Sequence, residues 1–137
     1  EFFPGVERSY CYPCYSMFVG VGAARQSYVP IVAKHFPAAR STGEFGYNYP
    51  HVCDMHALFS WRGEGATAAD LIGKVEMAVA RGTWDIFVFH SLDKGPLGTN
   101  SHHFEQFLAY LERRKDAVWV APLIDVAKRV IQWRGEK

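Results

Sequence analysis

No apolar run in this chain approaches the roughly 20 residues that a membrane-crossing helix needs. No stripe of Lys and Arg and no acidic tail disturbs the balance of 15 basic against 14 acidic residues, a net charge of +1. Neither nucleic acid nor an anionic membrane surface is therefore an expected partner. Cysteine is sparse and odd in number, with Cys11, Cys14 and Cys53, which excludes a scaffold built on disulfides. There is no Gly-x-Gly-x-x-Gly after a strand, no phosphate-binding loop ending in Gly-Lys-Ser/Thr and no Gly-x-Ser-x-Gly elbow. The dinucleotide, nucleotide and serine-hydrolase readings thus lack their signatures. No internal repeat and no low-complexity stretch is present either. The opening Glu1-Phe2-Phe3-Pro4-Gly5 holds neither an initiator Met nor a charged-then-apolar leader, as expected of a mature, trimmed or partial chain.

What is there fits one folded domain over residues 1–137, 49% hydrophobic and 15% aromatic, enough for a packed core. Alternation predicts a strand over 7–12, ended by Pro13, and further strands at 38–41, 57–61 and 117–121. A near-continuous apolar run within 82–93, Trp84 and Ile86 to Phe89, predicts a strand covered on both faces, as in a parallel sheet. Residues 17–34 read as a loop and then a helix ending before Pro37, with Pro30 in its first turn. Thr67 with Asp70 marks a helix start and Gly82 its stop. Ser101 is placed to cap a helix carrying Phe104, Phe107, Leu108 and Leu111, and Pro122 to open the last one. Residues 94–100 read as a glycine-rich loop. Strands alternating with helices give an α/β fold with about five parallel strands, in an open sheet or as the later part of a (β/α) barrel.

Several groups carry possible chemistry. His90 stops the strand within 82–93, and the carboxyl ends of such strands hold the chemistry of α/β enzymes. A histidine there is a proton-transfer candidate; the plain alternative is one that merely ends a strand. The irregular stretch 42–55 sets Phe45, Tyr47 and Tyr49 among Gly43, Gly46 and Pro50, the composition of a binding loop. His51 and His56 lie on that loop and its exit. Cys11-Tyr12-Pro13-Cys14 is a Cys-x-x-Cys, but residues 15–20 make a poor helix start for redox chemistry. With Cys53 and His56 it makes a structural zinc set on paper; small buried thiols are the plainer reading. The adjacent His102 and His103 point in different directions on a helix, so they are no metal signature.

Taken in order, Tyr10-Cys11-Tyr12-Pro13-Cys14, His35-Phe36-Pro37-Ala38-Ala39-Arg40-Ser41, Asn48-Tyr49-Pro50, Gly82 to His90, and Val118-Trp119-Val120-Ala121-Pro122 with Asp125 beyond it resemble a known pattern. The chain resembles the later half of the polysaccharide deacetylase family, carbohydrate esterase family four. That resemblance implies the later part of a distorted (β/α)7 barrel and the removal of N- or O-acetyl groups from an acetylated polysaccharide. It implies a divalent metal, usually zinc, that polarises the acetyl carbonyl and activates water. His90 then corresponds to the histidine that protonates the leaving group. The Cys14 N–H inherits an oxyanion-holding role from the family's Arg-x-Pro-Tyr motif. Leu92 falls in the acetyl-methyl pocket, and Tyr12, Tyr47, Tyr49 and Trp84 are possible sugar-facing aromatics, Trp84 equally a core residue. A secreted or extracytoplasmic location is implied by the resemblance alone.

Two departures qualify it. Cys11 and Cys14 replace the arginine and tyrosine of that motif, and Arg40, at a predicted strand end, is the candidate substitute for the arginine; a structural ion pair is its alternative. The family's Thr-Phe-Asp-Asp-Gly and His-Ser/Thr-x-x-x-His motifs occur nowhere in these residues. The catalytic base and the metal ligands are therefore expected outside this chain, on a companion N-terminal segment. Open parallel edges would otherwise call for a homo-oligomer. The alternative function is a non-catalytic carbohydrate-binding or interaction domain on the same fold, with the loop aromatics stacking on sugars.

Overall fold

The computed structural model describes residues 5–43 and 46–136. In chain order the elements are β1 (Tyr10–Cys11), β2 (Phe18–Val19), β3 (Gln26–Ser27), α1 (Val29–Ala33), β4 (Ala39–Gly43) and β5 (Leu58–Arg62). Then come α2 (Ala68–Arg81), β6 (Phe87–Val88), β7 (Ser91–Leu92), β8 (Gly98–Thr99), α3 (Ser101–Arg113) and α4 (Leu123–Gly135). The main sheet is parallel throughout, in the order β1-β4-β5-β6. The fold is thus mixed α/β, and no helix among the described residues is long and apolar enough to cross a membrane.

Local sequence explains the best-formed element. The Thr67 hydroxyl accepts the Asp70 N–H while the Asp70 carboxylate accepts the Thr67 N–H, so two orphan donors at the start of α2 are satisfied together. Gly82 ends the helix at φ 64°, a left-handed conformation that costs glycine nothing. Leu71 and Val75 on the buried stripe of α2 meet Phe107 of α3 outside the sheet. Helix α4 packs Ala127 and Val130 against Ala38, Met55, Leu58, Trp84 and Ile86. Leu58 opens β5, and Ala38, Trp84 and Ile86 precede the paired residues of β4 and β6, so α4 closes the amino end of the sheet.

The sheet departs from the sequence expectation in three places. Residues 17–27 form the β2–β3 hairpin, with Gly20 at φ 79°, where a loop was expected. Inside the expected loop 94–100, β8 pairs in parallel with β7. Residues 117–121 are not a strand, so the parallel sheet has four strands and not about five. Their aromatic and β-branched composition suits a strand, but a strand needs a neighbour's peptide groups. An apolar cavity separates them from β6 and leaves Trp119 and Val120 exposed. The helix caps shift by one residue: Asn100 caps α3 in place of Ser101, and Pro122 is itself the cap of α4.

Candidate functional site

His90 lies two residues beyond Val88, at the carboxyl end of β6. Its imidazole is about half exposed, and its Nε2 stands 3.8 Å from Oε2 of Glu64, whose side chain is 16% exposed. Glu64 lies two residues past Arg62, the last residue of β5, so adjacent parallel strands deliver the two groups to one edge. Oε1 of Glu64 accepts from the Arg62 guanidinium at 3.3 Å, while Oε2 is buried without a hydrogen-bond partner among the described residues. That oxygen is the one turned towards His90.

The edge is held from beneath. The Gly63 N–H donates to Val88 O at 2.9 Å, and the Thr99 hydroxyl donates to Gly63 O at 2.9 Å. A Cβ on Gly63 would meet the Phe89 ring at 2.3 Å, so only glycine lets Phe89 and His90 come this close to β5. Leu92, two residues beyond His90, is exposed on β7, which pairs with β8 outside the main sheet. Asp93 accepts the Ser101 N–H at 2.9 Å and ties this segment to the start of α3; the Ser101 hydroxyl first, and that N–H second, hold the Asp93 carboxyl below the usual carboxylate range.

The turn after β1 carries Cys14 and sets Tyr15 against Arg40. Cys14 and Tyr15 have φ of 49° and 57°, and the bonds from Tyr15 N–H to Tyr12 O and from Ser16 N–H to Pro13 O close the turn. The Cys14 N–H enters neither bond. Arg40 sits inside β4, level with Cys11, and not at a strand end. Its guanidinium lies 5.6 Å from the Tyr15 ring, and Nη1 is buried without a hydrogen-bond partner among the described residues. Tyr12 faces away from the turn, buried between Tyr10 and Tyr28 in edge-on ring contacts. Burial is the main cause that pushes its phenol above the ordinary tyrosine value.

The loop aromatics stand at the opposite end of the sheet. Tyr47 packs 5.9 Å from Trp61, its hydroxyl meets Met77 Sδ at 3.1 Å, and the Arg81 guanidinium covers its ring at 4.2 Å. Met77 and Arg81 belong to the end of α2, beside the entry to β6. Tyr49 lies 6.4 Å from Tyr47, and Trp84 is core, 9% exposed. Composition marked this loop for binding but could not say that it returns to the amino edge, away from His90. Phe45 lies outside the described residues.

The paper zinc set is not assembled. The Cys53 thiol accepts from the Arg134 guanidinium at 3.1 Å, and His56 Nε2 lies 2.9 Å from Phe36 O. Among the described residues no group of at least three His, Cys, Asp or Glu side chains could hold a metal ion. The metal that the resemblance implies therefore does not fit these residues by themselves. Glu64 is the site residue that sequence reasoning missed: it lies 26 positions from His90, and only the strand order makes them neighbours. No family model, no curated protein and no solved structure matches the chain.

Proposed function

We propose that this chain is the later part of a distorted (β/α)7 barrel of the polysaccharide deacetylase type, supplying the general-acid half of a site that removes acetyl groups from an acetylated polysaccharide. The observation that supports it best is the His90–Glu64 pair at the carboxyl edge of parallel strands, 3.8 Å apart. His90 delivers a proton to the departing amine or alkoxide as the acyl bond breaks, so the leaving group departs neutral. Glu64, which faces Nε2 at 3.8 Å, balances the charge of the ring while it is protonated. The Cys14 N–H donates to the carbonyl oxygen as it gains charge, with Arg40 behind the turn, and Leu92 borders the acetyl methyl. In this reading a divalent metal, zinc, would be held by ligands on a companion segment that also carries the base, and would supply activation of the water there. An acetylated polymer as substrate places the protein in a secreted or extracytoplasmic setting.

The test is acetate release from acetylxylan and acetylated chitooligosaccharides, with bound metal measured on the same protein, supplied with its companion segment. Metal-dependent acetate release that collapses in His90→Ala supports the proposal. Glycan binding without metal or acetate release overturns it in favour of a non-catalytic sugar-binding domain.

A further inference from the structure

An apolar cavity of about 640 Å³ runs along the outer side of β6, between α2, α3 and residues 117–121. Phe87, Phe89, Phe104, Phe107 and Trp119 supply its aromatic walls. His90 and Glu64 do not line it, so it is separate from the carboxyl edge. Among the described residues that line it, Asp85 alone is ionisable. The Asp85 carboxylate accepts the Trp61 indole N–H at 2.9 Å and, at 3.5 Å, the Thr83 hydroxyl. No basic side chain pairs with it among the described residues. Lys74, the cation that acts on it from a distance, is parked 3.6 Å over the Trp61 ring. Burial pushes the carboxyl above its ordinary value, against the Trp61 bond.

A partly buried carboxylate in the lining of an aromatic pocket, with Lys74 held over the Trp61 ring and in no bond to it among the described residues, selects its ligand by charge. We propose that this cavity binds an amphipathic organic cation, a protonated amine on an aromatic or hydrocarbon body, with the ammonium at Asp85 and the body among the phenylalanine rings. The ammonium supplies the partner that a partly desolvated carboxylate lacks. The ring faces attract the cation through their π clouds, and the body removes apolar wall from water. A neutral amphiphile of the same shape leaves Asp85 uncompensated, and an anionic one adds like-charge repulsion. Such pockets, mostly apolar with one or two placed polar groups, are the usual form of small-molecule sites.

Calorimetric titration of the whole chain with phenethylamine, phenethyl alcohol and hydrocinnamate tests this. The expected result is saturable binding of the amine about tenfold or more tighter than the alcohol, with no binding of the acid. Asp85→Asn keeps an oxygen for Trp61; it should bring the amine down to the alcohol's affinity and leave the alcohol unchanged. Leu108→Trp, which fills the cavity, should remove both. Equal binding of amine and alcohol by the unaltered chain overturns the proposal, as does binding of none of the three probes. A preference for the amine that persists in Asp85→Asn overturns it too. The comparison on the unaltered chain decides the matter even where a variant fails to fold.

Discussion

The two ends of the parallel sheet treat polar groups in opposite ways. At the amino end Asn48, 2% exposed, donates to Phe59 O and Trp84 O at 3.0 and 2.9 Å and accepts the Phe59 N–H at 2.9 Å. One side chain thereby stitches β5 to the entry of β6. Arg134 of α4 adds bonds to Pro50 O and Cys53 O at 2.7 and 2.8 Å. At the carboxyl end His90 is half exposed and meets Glu64 at 3.8 Å, beyond hydrogen-bond length. Satisfied and buried polar groups hold strands in register; a half-exposed imidazole only loosely paired with a mostly buried acid stays free to meet another group. In α/β barrels the amino face carries stability and the carboxyl face chemistry, which is the division the proposed function expects.

Substitutions at each end sharpen that contrast. If the proposed deacetylase reading holds, the largest effect belongs to His90→Ala assayed with the companion segment: acetate turnover falls by about 10²–10⁴, while the urea midpoint of the chain does not move. A matching loss of stability would erase the distinction between the ends. Asn48→Ala should do the reverse, costing about 3 kcal/mol by leaving buried backbone groups unpaired, read as a lower urea midpoint. In the same reading Glu64→Gln should lower turnover about tenfold with little change in KM, since it removes the charge that offsets the protonated ring and no substrate contact. Unchanged turnover would mean that the pair is a surface ion pair only.

The smallest effect belongs to Asp85, near the amino end yet unlike Asn48 in its pairing. Its folded-state carboxyl is raised by burial, so the protonated form suits the fold best. The stability it contributes is full below its unfolded value, about 3.9, and is lost as pH rises through the higher folded value. Asp85→Asn carries no such loss. The variant should therefore melt above the unaltered chain at neutral pH, with the gap closing below about pH 4. A gap that widens in acid would reverse the sign and remove burial as the cause.

What the sequence disclosed was local. The reciprocal Thr67–Asp70 cap and the Gly82 stop are short-range patterns, and the structure has them where they were expected; of the Phe104–Leu111 stripe Phe107 is buried, while Leu108 is exposed. The parallel sense of the pairing was legible from strands alternating with helices, and the main sheet has it; which strands lie side by side and where the sheet ends were not. Val118-Trp119-Val120 has strand composition but no bonded neighbour, because the edge of β6 faces a cavity. The hairpin of Phe18–Val19 with Gln26–Ser27 hid behind small residues that also suit a loop. Of the site, His90 was visible as the stop to an apolar run. Glu64 was not, because nothing between Trp61 and Thr67 shows that β5 lies beside β6. The aromatic loop showed its composition but not the end of the sheet it serves.

The reach of Arg134 sets an order of events in synthesis. Its bonds to Pro50 O and Cys53 O span 84 and 81 residues of chain. On a ribosome, β1, β4 and β5 all emerge before the residue that clamps the loop between them. Until α4 is free of the exit tunnel, the half-finished sheet carries its amino-end loop unclamped and its apolar underside bare. Contacts this distant in sequence also slow refolding, because the chain must close a long loop before it gains them. The last helix thus acts as the closing step of folding: a nascent chain stalled before Arg134 should be protease-sensitive at residues 48–56, and one stalled well beyond it resistant.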